Sequence, residues 1–580
     1  MAYKRARLKS ALPQQATWLD SPNQKESSDH KNLDRTKPTL VDPTDDETTN
    51  AQITRDETTR DTNTYSTINH EAAVGLGNST PEVRQRTRQR TTTSKRRLER
   101  RIAPLELLQQ PLQASVRKVF DLRRFLIVIA LTVGVLFLPQ PEGLSEAGHR
   151  ALALFVFTGS ILALEPAPLP ISALLVPICQ IALGIDQSAG AFGPFGSPVE
   201  FLILGSLFLA EALRKHGLTR RLALYVIILS KGNFKTLLFG LMLITSGLSM
   251  WVLNTATAAV LIPVAITIAQ RVQNPDHAQR ALTMLILAIA YSSSIGAIPT
   301  IMGSGENAIA SSLLAQVQPF GFIDWMKYGL PVLILLLPLT WFLLQQAIRL
   351  PKVTLDTTPV EQELERLGGL KSSERKILFV LGISVILWIT GANIEQLLNL
   401  PKTLLSSVVV AIGAVAVLSI EEVIDWNDLK GVNWGVFFVI GAGLTLGDAL
   451  AKTGANLWFA GLLGPLLDGL PYVAILSILV LMAFTITQFL NNVPLGAIFA
   501  PILLTLAEAN GTAPPRLLLP TIFTLALAYT LPGGSARITL AAVTGAVQSK
   551  DMMRTGLIVG IPSAICILIY FYIIGKLGFI

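Results

Sequence analysis

Charge is scarce in this chain. Of 580 residues, 15% are Asp, Glu, Lys or Arg and 51% are hydrophobic, against about 25% charged in a soluble protein. The shortage is steeper than the average, because residues 1–118 hold many of the charges. Only two cysteines occur, Cys179 and Cys566, both in apolar runs. They supply neither a disulfide framework nor a zinc spacing. The five histidines (His30, His70, His149, His216, His277) form no ligand pattern. H-E-x-x-H, G-x-S-x-G and C-x-x-C are missing, which argues against an enzyme. So is the G-x-x-x-x-G-K-[ST] phosphate loop, which argues against ATP-driven pumping. No apolar h-region precedes residue 119, so no secretory signal is read. Residues 1–118 as a whole are acid-rich, although the first 19 are acid-free, which weighs weakly against an organellar transit peptide.

What the chain has instead is a series of apolar runs, each about 16–25 residues long and enough to cross a hydrocarbon core of ~30 Å. The fold class expected is an all-α polytopic membrane protein. Residues 1–118 read by composition as a disordered cytoplasmic tail, Thr/Asp-rich over Asp42 to Thr62 and strongly basic over Arg84 to Arg101. The basic block reads as a positive-inside anchor within reach of lipid headgroups. The net charge of +8 then records loop topology and not nucleic-acid binding. Spans are expected near 122–138, 148–165, 168–185, 199–230, 327–348, 375–392, 402–419, 431–452 and 553–576. Two more, 281–315 and 518–548, are interrupted by Gly and Pro. Two apolar pairs, 236–270 and 473–508, flank polar motifs. Lys and Arg cluster at 214–235, 271–280 and 349–376. Placing these inside with the N-terminus makes each pair a re-entrant hairpin. The result is about eleven transmembrane helices plus two hairpins. A first half, 119–348, and a second half, 375–580, are joined by a cytoplasmic linker, 349–374. The location expected is the plasma membrane, multi-pass, with the N-terminus cytoplasmic.

The halves repeat. L-A-E-A-L-R-K-H-G ending at Gly217 aligns with L-G-D-A-L-A-K-T-G ending at Gly454, an offset of 237. Asn254 aligns with Asn491 at the same offset, and L-A-I-A-Y-S-S-S-I-G ending at Gly296 aligns with L-A-L-A-Y-T-L-P-G-G ending at Gly534 at 238. A constant period of this size means duplication of a multi-helix unit. With hairpins opening to opposite sides it is an inverted repeat, an architecture in which substrate binds near the midplane at broken helices. Asn254, Thr255 and Thr257 stand at one tip; Asn491 and Asn492 stand at the other. Amide and hydroxyl groups can ligate a small hard cation and donate to an anion's oxygens. Left unsatisfied in hydrocarbon they cost several kcal/mol. The broken spans add Ser294, Gly296, Gly303, Ser304, Glu306 and Asn307 in one half and Gly533, Gly534, Ser535, Arg537 and Thr539 in the other. Glu306 aligns with Arg537. An ionisable residue inside a span points to function; the structural alternatives are that the two pair and lock the core, or that Glu306 reaches an aqueous rim.

These residues resemble the divalent-anion/sodium symporter family, carriers of dicarboxylates, citrate and sulfate. The match covers about residues 122–578. That family places Ser-Asn-Thr at each hairpin tip; here the tips read Leu253-Asn254-Thr255 and Leu490-Asn491-Asn492. Its broken helices carry a Gly-Thr-Pro-Pro-Asn-like turn; here the turns read Gly303-Ser304-Gly305-Glu306-Asn307 and Gly534-Ser535-Ala536-Arg537-Ile538. The resemblance implies a homodimer working by an elevator-type alternating-access cycle. It implies a small anionic substrate and sodium ions near Asn254, Gly303, Asn491 and Gly534, with no other cofactor. Both motif serines are leucine here, and an acid and a base replace the prolines. Arg537 could hold a divalent anion or stand in for a cation, and Glu306 could carry a proton, so coupling is expected to Na⁺ or H⁺. The rivals are an inorganic-ion transporter of the same superfamily (arsenite or Na⁺/H⁺ exchange), a membrane enzyme, and a receptor on the carrier fold.

Overall fold

The computed structural model describes residues 120–580 apart from 273, 352, 354–357 and 468. The expected tail and its basic block lie outside the described residues. The rest is helical, with no strand among the described residues. A leading helix, α1 (Leu122–Phe137), is followed by α2 (Glu146–Leu164), α3 (Leu169–Ala182), short α4 (Ser188–Phe192), α5 (Pro198–Lys215) and α6 (Leu218–Leu229). Then come α7 (Phe234–Ser249), α8 (Asn254–Gln270), α9 (Pro275–Ala297), α10 (Gly305–Val317) and α11 (Phe322–Ala347). The linker holds α12 (Thr358–Leu367). The second half runs α13 (Ser372–Leu397), α14 (Ser407–Ile420), short α15 (Trp426–Lys430), α16 (Trp434–Thr453) and α17 (Ala455–Leu467). It ends with α18 (Tyr472–Thr487), α19 (Asn492–Ala509), α20 (Pro514–Leu525), α21 (Ala536–Val543) and α22 (Ser549–Lys576).

Seven described helices are long and apolar enough to cross a membrane, and the bent pair α4–α5 makes an eighth candidate. They are not equally placed. The apolar window of α9 is 94% buried and that of α13 is 28% buried. So α9 forms the centre, while α13 turns Phe379, Ile386 and Leu397 outward, as a lipid-facing helix must.

Local sequence explains the breaks. The expected span 199–230 is two helices, because Gly217 stands at φ +69° between α5 and α6. Gly454 does the same at φ +71° between α16 and α17. Left-handed backbone suits glycine and stops a helix. The repeat landmarks are therefore helix stops, and α17 is an element that the apolar-run reading did not anticipate. The expected span 281–315 breaks between α9 and α10, at a short 3-10 turn over Ile301–Gly303. Its counterpart unwinds earlier, after Leu525, well before the Gly-Gly pair.

The halves exchange partners. α10 packs on α19 and α21 packs on α8; each half's broken helix thus lies against the other half's hairpin. Likewise α3 packs on α16 and α14 packs on α5. Equivalent elements also meet each other: α5 touches α16 and α11 touches α22. Tyr291 and Tyr529, equivalent at offset 238, stack with ring centroids 4.2 Å apart and planes at 29°. Self-meeting equivalents mark a local pseudo-twofold axis, and it passes between these rings.

Candidate functional site

Each hairpin is stitched to the broken helix of its own half. In the first half, Ser246 Oγ donates to Ser292 O at 2.9 Å, Ser249 Oγ to Ser293 O and Thr300 Oγ1 to Met250 O. Asn307 Nδ2 spans the break, donating to Ala297 O and Thr300 O at 2.9 Å each. Gly296 and Gly303 allow the close approach. A Cβ on Gly296 would come within 2.4 Å of Ser246 Cα, and one on Gly303 within 2.3 Å of Ala297 O. At the tip, Asn254 opens α8, and Thr255 Oγ1 donates to its Oδ1 at 3.2 Å.

In the second half, Thr487 Oγ1 donates to Leu525 O at 2.8 Å. Gln488 replaces a whole turn of backbone pairing. Its Nε2 donates to Leu527 O at 3.0 Å, and its Oε1 accepts from the N–H groups of Tyr529 and Thr530 at 3.1 Å each. A Cβ on Gly534 would lie 2.8 Å from Thr487 O. Asn491 caps α19, its Oδ1 accepting from Val493 N at 3.3 Å. Thr539 is bonded to Ser535 O and Pro532 O within its own segment and stays outside the buried cluster.

The two halves meet at charged groups. Glu306 is fully buried in the first turn of α10. Its Oε1 accepts from Asn492 Nδ2 of the second hairpin. Gly496 admits it, since a Cβ there would lie 2.6 Å from Glu306 Cβ. Arg537, 1% exposed, donates from Nη2 to Ala526 O at 2.8 Å. Ser294 Oγ donates to the same carbonyl from the other half. Glu306 and Arg537 make no ion pair among the bridges found in the described residues. The lock expected as the structural alternative is therefore not formed.

Buried polar atoms are normally hydrogen-bonded, so the exceptions point to ligand. At this centre the unpartnered atoms are Thr257 Oγ1, Tyr529 Oη, Ser535 Oγ, Arg537 Nε and Glu306 Oε2. Four can donate; one only accepts. Ser304 is buried beside them. Asn491 and Gly533 reach water, lining a small open pocket of about 50 Å³ between the second tip and the end of α2.

The family model for the sodium:sulfate symporter transmembrane region matches residues 121–577. The chain belongs to this family. Among relatives in it, a Haemophilus influenzae transporter is 31% identical, over 72% of this chain and 90% of its own. The sodium-dependent dicarboxylate transporter SdcS of Staphylococcus aureus is 28% identical, over 75% of this chain and 87% of its own. The crystal structure of the Alcanivorax borkumensis YdaH transporter matches with a TM-score of 0.44 at 13% identity, over 67% of this chain and 87% of that one. The symporter membership fits the multi-pass architecture and a transporter, not an enzyme.

A sodium ion of the family type does not fit the donors at the second tip. The helix starts place Asn492, not Asn491, opposite Asn254, so the residue equivalent to Leu253 is Asn491, which supplies an amide oxygen but no hydroxyl. The carbonyls freed by the break, Leu525 O, Ala526 O and Leu527 O, already accept from Thr487, from Ser294 and Arg537, and from Gln488. A cation on Ala526 O would also sit beside a guanidinium. At the first tip Leu253 again lacks the hydroxyl, and Ala297 O and Thr300 O are bonded to Asn307.

Sequence reading missed three features. Gln488 was passed over because a glutamine near a helix end reads as surface. Glu200, at the edge of an apolar run, is fully buried with both carboxyl oxygens unpartnered. The tyrosine stack was visible as a repeated Tyr in aligned segments, but its contact was not.

Proposed function

We propose that this chain is a secondary active transporter that moves a small divalent anion (a dicarboxylate, citrate or sulfate) across the membrane. Transport is coupled to a cation, Na⁺ or H⁺, and runs by elevator-type alternating access in a homodimer at the plasma membrane, with the N-terminus cytoplasmic. The observation that carries this reading is the unpartnered donor set, Thr257, Tyr529, Ser535 and Arg537, buried where each half's broken helix packs on the other half's hairpin. Such donors call for a ligand rich in acceptor oxygens, and a guanidinium calls for an anionic one. Family membership supports the class of reaction, and SdcS, a dicarboxylate carrier by name, supports the class of substrate.

Counterflow in proteoliposomes tests it. Liposomes loaded with unlabelled succinate, or with sulfate, should accumulate the matching radiolabel. Arg537→Ala should lower that rate at least about tenfold, the loss of one charge-assisted hydrogen bond of about 1.5–3 kcal/mol. Transport that survives Arg537→Ala unchanged would favour the inorganic-ion reading (arsenite or Na⁺/H⁺ exchange). No counterflow with any anion of the panel would sink the carrier reading.

A further inference from the structure

Where the family would hold sodium, this chain holds its own charges. We propose that the carrier's coupling ion is the proton, taken up on Glu306 Oε2, while Arg537 serves as a resident cation that meets the anion. The inference rests on the carrier reading above and specifies its coupling.

Three independent observations converge. The first is the sodium misfit: both motif hydroxyls are absent, and the freed Ala526 carbonyl at the second break is taken by Ser294 and by the Arg537 guanidinium. The second is sorting by chemistry. The unpartnered donors lie on the side of α8 and α21, which pack on each other. The one unpartnered atom that only accepts, Glu306 Oε2, lies where α10 meets α19. Donors without partners want an anion; a carboxylate oxygen without a partner wants a proton. The third is charge balance. A dianion beside Arg537 with Glu306 ionised leaves two uncompensated negative charges inside the membrane. A protonated Glu306 leaves one, and intramembrane charge is costly.

The proton's route is proposed to start at the open pocket, which Asn492 and Glu306 do not themselves line. Hydronium or water in the open cavity reaches Asn491 and Gly533. The next residue, Asn492, holds Glu306. Protonation adds one O–H bond at Oε2 and leaves the Asn492 bond on Oε1 intact. After the centre is exposed to the other side, the proton returns to water and the carboxylate re-forms.

Other charges stand on the elements packed against α10. On α5, Glu211 pairs with Arg214 and Lys215 with Asp428. On α16, Lys452 pairs with Asp186 and Asp448. Arg516 on α20 donates to Ile580 O and Gly575 O. Glu508 lies at the far end of α19. Glu200 on α5 is the other fully buried carboxyl.

The test uses the full chain in liposomes, with labelled sulfate as the probe because its charge stays fixed between about pH 6 and about pH 8. Choline replaces sodium. The expected result is uptake without sodium, at least about fivefold faster at the lower external pH. In Glu306→Gln that ratio should fall close to one, whatever the absolute rate. A second readout does not depend on flux. Sulfate added to weakly buffered, detergent-solubilised wild type should withdraw about one proton per chain from an indicator dye, and none from Glu306→Gln. Uptake that needs sodium at every pH, or a Glu306→Gln variant with the wild-type ratio or proton count, overturns the proton assignment and leaves the carrier reading standing. No counterflow of sulfate or succinate in either salt overturns both.

Discussion

Gln488 shows how one side chain can hold a helix open. Its amide group serves a carbonyl and two N–H groups that α20 would otherwise have paired by continuing. Gln488→Leu fills similar volume and leaves those backbone groups bare in a site where Gln488 itself is 6% exposed. Each buried orphan costs about 1–3 kcal/mol. The variant is therefore expected to lose at least about 2 kcal/mol, read as an earlier thermal unfolding midpoint in detergent. Asn492→Ala should cost about 1–3 kcal/mol for the same reason, since Glu306 Oε1 loses its donor. At this scale sequence reading went far: Asn254, Thr257, Asn492 and Asn307, amides and hydroxyls set near the tips and breaks, are buried in the structure, while Thr255 and Asn491 are half-buried. What it could not decide is which polar group serves backbone and which serves ligand. That depends on which carbonyls the breaks release, and on the early unwinding at Ala526, where no glycine or proline marks the spot.

Between elements, close contact is set by residues without bulk. α7 meets α9 through Ser246, Ser249 and Gly296, and two serine hydroxyls reach across to Ser292 and Ser293 carbonyls. Small residues let helices in lipid approach and bond in this way. Because the atoms facing Gly296 are backbone, they cannot step aside. Gly296→Ala should cost about 1–3 kcal/mol by overpacking and lower transport with it, checked by unfolding midpoint and counterflow on the same preparation. An aromatic stack does the opposite work on the far side of the first tip. Trp251 lies 5.6 Å from Trp388 of α13 and 6.3 Å from Phe322, with planes at 13° and 22°. Trp388 is 5% exposed and donates from Nε1 to Ser407 O at 3.0 Å. Trp388→Ala should cost about 3 kcal/mol, measured in the same melt. Apolar length made most helices legible, including the hairpin pairs to within a few residues. The stops at Gly217 and Gly454 were in plain view as repeat landmarks, yet a run of apolar residues carries no record of φ. For that reason 199–230 read as one span and α17 went unread.

For the molecule as a whole, the telling feature is a departure from its own symmetry. The repeat was legible as a constant offset in the sequence, but an offset cannot say whether equivalent gaps are equally open. They are not. α2 and α13 open the two repeats, and each stands near a hairpin tip of the other half's or its own broken core. At α13 the gap is filled by the Trp251–Trp388–Phe322 stack. At α2 it is a small open pocket of about 50 Å³ bordered by Gly159, Leu162 and Glu165, with Phe489 at the second tip 66% exposed. A carrier that alternates between two sides must break its symmetry this way, one gap shut while the other is open. The cavity lies by the end of α2, where Asp121 N bonds Pro166 O at 2.8 Å and Arg124 bonds Leu164 O at 3.0 Å, at the start of α1. Under the proposed topology, with the N-terminus cytoplasmic, this pocket faces the cytoplasm, and we propose that it is the inward entrance. Single-cysteine chains test it, with Cys179 and Cys566 changed to alanine. Phe489→Cys should react with a membrane-impermeant maleimide at least about tenfold faster in inside-out than in right-side-out vesicles, and saturating sulfate should slow the reaction by favouring the other state. Trp251→Cys should show the reverse sidedness, with a slower rate overall because its stack is closed. Equal labelling of Phe489→Cys from both faces would mean a cavity that is not gated, and labelling only from outside would mean that the chain is inserted the other way up.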